Sequence, residues 1–307
     1  MEYFSILGVF MQKGNLLGVF AILLWSTLGS LGVMADKIPP FQLNAMAFFV
    51  AFIIGSFLWK KQGKGILIHL KWPFKVWIVG VMGLFGYHFF YFSGIQNAPA
   101  IEANLINYLW PLLIVLFSSF LPNEKLRWFH MVGVILGLIG VFFLVSKDGG
   151  FNFDLQYTEG YFYAFLAAIT WGSYSVLSRL FGKVPTSAVG GFCGVTSVLS
   201  LFCHLLFETT VTVTFSELLV VIAIGLGPVG GAFYVWDYAV KHGDIQLLGT
   251  LAYAIPLLST FLLVLLGLSE PSPSIWIACF FIVLGSLISS LEHFKKLYSR
   301  ITKKELS

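Results

Sequence analysis

Ten uncharged, mostly apolar stretches divide this chain almost from end to end, and each is long enough to cross a lipid bilayer. They run 14–35, 41–59, 76–98, 103–123, 128–146, 160–178, 184–207, 218–236, 245–269 and 271–291. The hydrocarbon layer is about 30 Å thick and a helix rises about 1.5 Å per residue, so a span needs about 20 residues. With no water to satisfy the backbone, helices are the default. The breaks carry turn chemistry and charge: Lys37-Ile38-Pro39-Pro40, Pro122-Asn123-Glu124-Lys125, Lys147-Asp148-Gly149-Gly150 and Glu270-Pro271-Ser272-Pro273. None is long enough to hold a soluble domain.

Composition agrees on the solvent. Of 307 residues, 58% are hydrophobic and 10% charged, against roughly 25% charged in soluble domains. Such a chain could not cover a water-facing surface. Cys193, Cys203 and Cys279 lie inside apolar runs with no CxxC spacing and no nearby His pair, which argues against a metal site or a disulfide framework. No cofactor motif appears, and no nucleic-acid partner is expected. The opening MEYFSILGVF has no basic cluster and no cleavage site; it reads as an interfacial extension, with Met1 or Met11 as alternative starts.

Basic residues set the orientation. With a cytoplasmic N-terminus, Lys13, Lys60, Lys61, Lys64, Lys71, Lys75, Lys125, Arg127, Arg179, Lys183, Lys241, Lys295, Lys296, Arg300, Lys303 and Lys304 fall inside, and only Lys37 and Lys147 outside. A miscounted helix would scramble that alternation. Both termini are therefore expected in the cytoplasm.

A shift of about 145 residues lays one half on the other. Trp25 then falls on Trp171, and Tyr108-Leu109-Trp110-Pro111 on Tyr253-Ala254-Ile255-Pro256. Five helices per half is an odd number, so the second copy enters the membrane from the opposite face. The expected organisation is an all-α membrane protein of ten transmembrane helices as a 5+5 inverted repeat. It comprises an N-terminal segment 1–13, a first repeat 14–148, a second 149–292 and a basic tail 293–307. Inverted repeats are typical of secondary transporters, with the site near the midplane.

Pro111 and Pro256 stand at matching mid-membrane positions, and each leaves the carbonyl four residues earlier (Asn107, Ala252) without its helical donor. Two readings stand open: kinks for packing, or carbonyls turned to a cavity. Pro228, within Gly225-Leu226-Gly227-Pro228-Val229-Gly230-Gly231, marks a third bend; glycines there and at Gly133, Gly137 and Gly140 allow close helix approach. Around the kinks gather Tyr87, His88, Tyr91, Asn104, Asn107, Tyr108, Trp110, Trp171, Tyr174 and Tyr253. Mid-span hydroxyls and indoles need polar partners. His88 is the one histidine deep in a span, and an ionisable group there marks function or a neutral ring bonded within the bundle. Asp237 and Lys241, four apart, are expected to pair. No span carries a midplane acid, lysine or arginine, so a neutral or zwitterionic solute with an aromatic body suits the bundle best.

The 5+5 plan, the Trp25 and Trp171 positions and the Tyr-x-x-Pro repeats resemble the drug/metabolite transporter superfamily with its EamA-type repeats. The run Asn97-Ala98-Pro99-Ala100-Ile101-Glu102-Ala103-Asn104-Leu105-Ile106-Asn107-Tyr108-Leu109-Trp110-Pro111-Leu112-Leu113, with Gly86-Tyr87-His88, is similar to the YddG-type aromatic amino acid exporters. The resemblance implies a basket-like bundle in a bacterial inner membrane; lipid-facing glycines leave monomer and homodimer both open. It implies a central cavity and export of aromatic amino acids by alternating access, with other amino acids as further candidates. Carried over by motif, the substrate would meet Tyr87, His88, Asn107, Tyr108, Trp110, Trp171 and Tyr253. A carrier for another metabolite or a cationic drug is the alternative. An intramembrane enzyme is the remote one, since no HExxH, GxSxG-like or paired-aspartate constellation lies in the spans.

Overall fold

The computed structural model describes residues 13–63, 71–122, 124–145, 154–270 and 273–291, and these are helical with no strand among them. The expected N-terminal segment, the Lys147–Gly150 break and the basic tail lie outside the described residues. Among the described residues ten helical rods follow in order: α1 (Lys13–Met34), α2 (Pro40–Lys61), α3 (Phe74–Asn97), α4 (Ala100–Ser118), α5 (Trp128–Val145), α6 (Thr158–Leu180), α7 (Thr186–Phe207), α8 (Phe215–His242), α9 (Ile245–Leu265) and α10 (Pro273–Ser289). Seven of them, α1–α4 and α7–α9, are long and apolar enough to cross a membrane. The apolar parts of α5 and α10 are shorter, and the 23 residues of α6 are interrupted by Tyr, Thr, Ser and Gly along their length.

Local chemistry fixes the ends. Proline opens α2, where a missing N–H costs nothing. Thr214 and Glu217 form a reciprocal capping box at α8, and Asp244 accepts from Gln246 N and Leu247 N at α9.

Several rods are interrupted. In α1, Ser26 and Thr27 hydroxyls donate back to Ile22 and Leu24 carbonyls, a pattern that bends helices, and regular structure breaks at Thr27. In α4 and α9 it breaks at Tyr108–Leu109 and Ala252–Tyr253, just before Trp110-Pro111 and Ile255-Pro256. The α3 and α8 rods each hold one π turn, Met82–Gly86 and Gly227–Gly231. Pro228 cannot donate to the ladder, and the helix widens around it. Gly230 is obligatory there, because a β-carbon on it would run into the Gly225 carbonyl. The expected free carbonyl at Ala252 is not free. It accepts from Ile255 N at 3.1 Å, because the turn before Pro256 tightens to three residues.

Glycines set the packing. A β-carbon on Gly55 of α2 would stand 2.6 Å from Gly190 Cα of α7. On Gly133 of α5 it would stand 2.6 Å from the Gly285 carbonyl oxygen of α10. Pairs α1–α8, α3–α6, α4–α6, α1–α9 and α4–α9 complete the bundle. Its exterior carries large exposed apolar side chains on many rods, among them Phe57, Phe202, Phe215, Leu265 and Trp276. Lipid as solvent removes the cost of that surface.

Candidate functional site

A cavity of about 580 Å³ opens among the broken rods, within the roughly 300–1,000 Å³ range of small-molecule sites. Its wall includes Gly32, Val33 and Asp36 at the end of α1, Pro40 at the start of α2, and Tyr91 and Asn104 beside the α3–α4 connection. Its mouth therefore lies at the end of the bundle where α1 passes into α2.

At the other end four indoles close it. Trp25 meets Trp171 at 5.6 Å and Trp110 at 6.3 Å edge-on between ring centroids, and Trp236 at a tilt at 5.0 Å. Trp25, Trp110 and Trp171 line the cavity; Trp236 lies beneath them, fully buried, its indole N–H donating to Ser175 Oγ. Phe233 stacks on Phe48 at 5.7 Å and touches Trp171 at 5.4 Å. Tyr87, on the turn following the α3 π segment, leans on Trp171 and stacks on Tyr91. Aromatic faces and edges thus surround the space, and a ring entering it would find T-shaped or offset partners on several sides.

The polar equipment is sparse. His88 Nδ1 lies 2.7 Å from the Leu84 carbonyl oxygen. A carbonyl only accepts, so that nitrogen carries a proton, and in the neutral form of the ring Nε2 is the acceptor. Asn107 donates from Nδ2 to the Tyr87 hydroxyl at 3.3 Å, while its Oδ1 is buried without a partner. Asn44 donates to Ser200 Oγ at 2.9 Å, and Tyr91 donates to Asn104 Oδ1 at 2.9 Å. Asp36 at the mouth is the one charged side chain in the wall among the described residues. The site suits a ring joined to a small polar head rather than an ion of high charge.

A sequence profile of the EamA-like transporter family matches the chain twice, over residues 12–146 and 158–291. The chain belongs to the EamA-like transporter family. Members of this family are transporters, so the enzyme alternative falls away. An aromatic amino acid exporter YddG of Ancylobacter novellus is 50% identical over 281 residues, covering 91% of this chain and 98% of that protein. An exporter of the same name in Escherichia coli K12 is 25% identical over 295 residues, covering 90% and 96%. One solved crystal structure of a protein superposes on this EamA chain with a TM-score of 0.87 at 48% identity, covering 91% of this chain and 96% of the other.

Of the residues singled out in the sequence, the fold brings Tyr87, His88, Asn107, Tyr108, Trp110, Trp171 and Pro228 to the cavity wall. Tyr174 lies one turn beyond Trp171, below the floor, its ring 5.2 Å from the indole. Tyr253 is elsewhere: fully buried among Val115, Val134 and Val141, against Gly137. Asp237 and Lys241 pair as expected, at 2.7 Å. Trp25, Asn44, Phe92 and Phe233 are wall residues that sequence reasoning did not assign to the site. Trp25 was within reach as the repeat partner of Trp171. Phe233 and Phe92 are two among 32 phenylalanines and carry no local signal.

Proposed function

We propose that this EamA-family chain exports aromatic amino acids across a bacterial inner membrane by alternating access through the cavity. Ten spans form two inverted five-helix repeats, 14–148 and 149–292, with both termini in the cytoplasm. The observation that carries the substrate class is the wall itself: three indoles, Tyr87, Tyr91 and Phe233 around a neutral polar set. Tyr87, His88, Asn107, Tyr108, Trp110 and Trp171 are the residues proposed to bind. The ring of the solute packs against Trp171, Trp110 and Tyr87, and the His88 Nε2 and, once its amide turns into the cavity, the Asn107 Oδ1 accept from its ammonium.

Several features support the inverted repeat. The π turns beginning at Met82 and Gly227 lie 145 residues apart (227 − 82), and the breaks at Tyr108–Leu109 and Ala252–Tyr253 lie 144 apart (252 − 108). Exchanging α1–α5 with α6–α10 turns the pair α1–α8 into α3–α6 and α4–α6 into α1–α9, and returns α2–α7, α4–α9 and α5–α10 to themselves. Two similar halves can swap conformations, which turns an opening on one face into an opening on the other. Uptake of labelled Trp, Phe and Tyr into proteoliposomes tests the substrate class. Saturable uptake of all three, with alanine and lysine moving at the rate of empty vesicles, is expected. Movement of another metabolite with none of the three would end the proposal.

A further inference from the structure

The stripe of α8 that carries Phe233 into the cavity wall continues, four residues at a time, with Asp237 and Lys241 beyond the indole floor. These two charges sit in the closed half of the bundle with side chains only 3% and 4% exposed. Asp237 Oδ2 accepts from Lys241 Nζ at 2.7 Å and from Thr186 Oγ1 at 2.8 Å, and Lys241 Nζ donates to the Val184 carbonyl at 3.0 Å. Both border a second, very small void that is also lined by Ser178 and Tyr174. The Tyr174 hydroxyl is buried there beside Ser178. A buried ion pair is a poor way to gain stability, since apolar residues of similar volume hold a bundle as well or better. A buried tyrosine hydroxyl on the same void adds a further donor to the spot.

We propose that Asp237, Lys241 and Tyr174 form a second recognition site, for the charged head of a zwitterionic amino acid, used when this end of the bundle opens. The proposal rests on the export of amino acids stated above. The α-carboxylate replaces Asp237 at Lys241 Nζ and takes the Tyr174 hydroxyl as a further donor. The α-ammonium replaces Lys241 at Asp237. A zwitterion parts the pair without leaving either charge uncompensated, whereas a pure amine strands Lys241 and a pure acid strands Asp237. The cavity then selects the ring, and this site selects the head.

The test is competition against labelled Trp offered from the end opposite the cavity mouth, by unlabelled Trp, tryptamine and indole-3-propionate. Trp is expected to compete at least tenfold better than either analogue against the parent protein. Lys241→Met is expected to shift preference about tenfold toward tryptamine, and Asp237→Asn about tenfold toward indole-3-propionate. A merely structural pair would weaken all three competitors alike, and that result would overturn the proposal. Should the single variants fail to fold, the neutral double variant D237N/K241M removes both buried charges together. Wild-type selectivity in that variant would refute the site, and loss of selectivity against both analogues would support it. If the parent moves no amino acid at all, the export reading fails, and this site falls with it; if it moves Trp and the variants keep its selectivity, this site alone fails.

Discussion

Asn107→Leu separates binding from folding, because the empty protein and the loaded one should respond with opposite signs. In the empty cavity Asn107 Oδ1 is buried with no donor, and Nδ2 makes only a long bond of 3.3 Å to the Tyr87 hydroxyl. An orphaned buried acceptor costs about 1–3 kcal/mol, and a weak hydrogen bond returns about 0.5–1.5 kcal/mol. Replacing the amide by leucine, apolar and of nearly the same shape, removes both terms. The unloaded protein should therefore be as stable as the parent or slightly more so. A solute ammonium donating to Oδ1 forms a charge-assisted bond worth about 1.5–3 kcal/mol. Losing it weakens binding roughly 10- to 150-fold at about 1.4 kcal/mol per factor of ten. The assay is the KM for Trp uptake in proteoliposomes, paired with the thermal transition of the unloaded protein in detergent. A KM within threefold of the parent in a well-folded variant would refute the role of Asn107. A fall of many degrees in the thermal transition would refute the description of an unsatisfied amide.

Four further substitutions probe the rest of the framework. Trp171→Ala removes a ring that touches Trp25, Tyr87 and Phe233 and should raise the KM at least tenfold, since each lost aromatic partner is worth about 0.5–1.5 kcal/mol beyond its area; Tyr253→Ala, a fully buried ring outside the wall, should instead lower stability by about 3–5 kcal/mol, read in thermal unfolding. Gly133→Leu pushes a side chain into the Gly285 carbonyl and Ser289 and should cost about 1–3 kcal/mol by overpacking, seen as a thermal transition several degrees lower with the KM of the folded fraction preserved. Arg179 ties α6 to the Val240 and Gly243 carbonyls of the α8 end and to Glu124, and about a quarter of its side chain is exposed; Arg179→Gln should relax the closed end by about 1 kcal/mol after solvent screening, so that a cysteine placed at Ser178 is labelled from that side roughly fivefold faster.

Much of this organisation is legible in the chain because membrane helices are written in length and hydropathy. The breaks beside Pro111, Pro228 and Pro256 announce themselves through residues that oppose a regular ladder. The helix α6 shows where the signal thins: Thr170, Trp171, Ser173 and Tyr174 make it less apolar because one face of it serves the cavity and the space below. Tyr253 shows a different limit. By repeat position it matches Tyr108, but Gly137 on the facing helix leaves room for its ring to bury away from the cavity, and no rule along the sequence reveals that opposing glycine. The Ala252 carbonyl is a third case, since a proline reports which carbonyl loses its helical donor and not that a tighter turn supplies another. Asn44 and Phe233 reach the wall through tertiary packing alone.

Labelling of a single cysteine placed at Ser259, a wall residue of α9, gives the most direct view of solute in the chamber. A membrane-impermeant thiol reagent applied from the side where α1 joins α2 should react with it. Saturating L-tryptophan should slow that reaction at least tenfold, and L-alanine should leave it unchanged. Equal reaction rates with and without tryptophan in a transport-active variant, or reaction only from the opposite face, would contradict a ring-lined chamber that opens at this end and holds the solute.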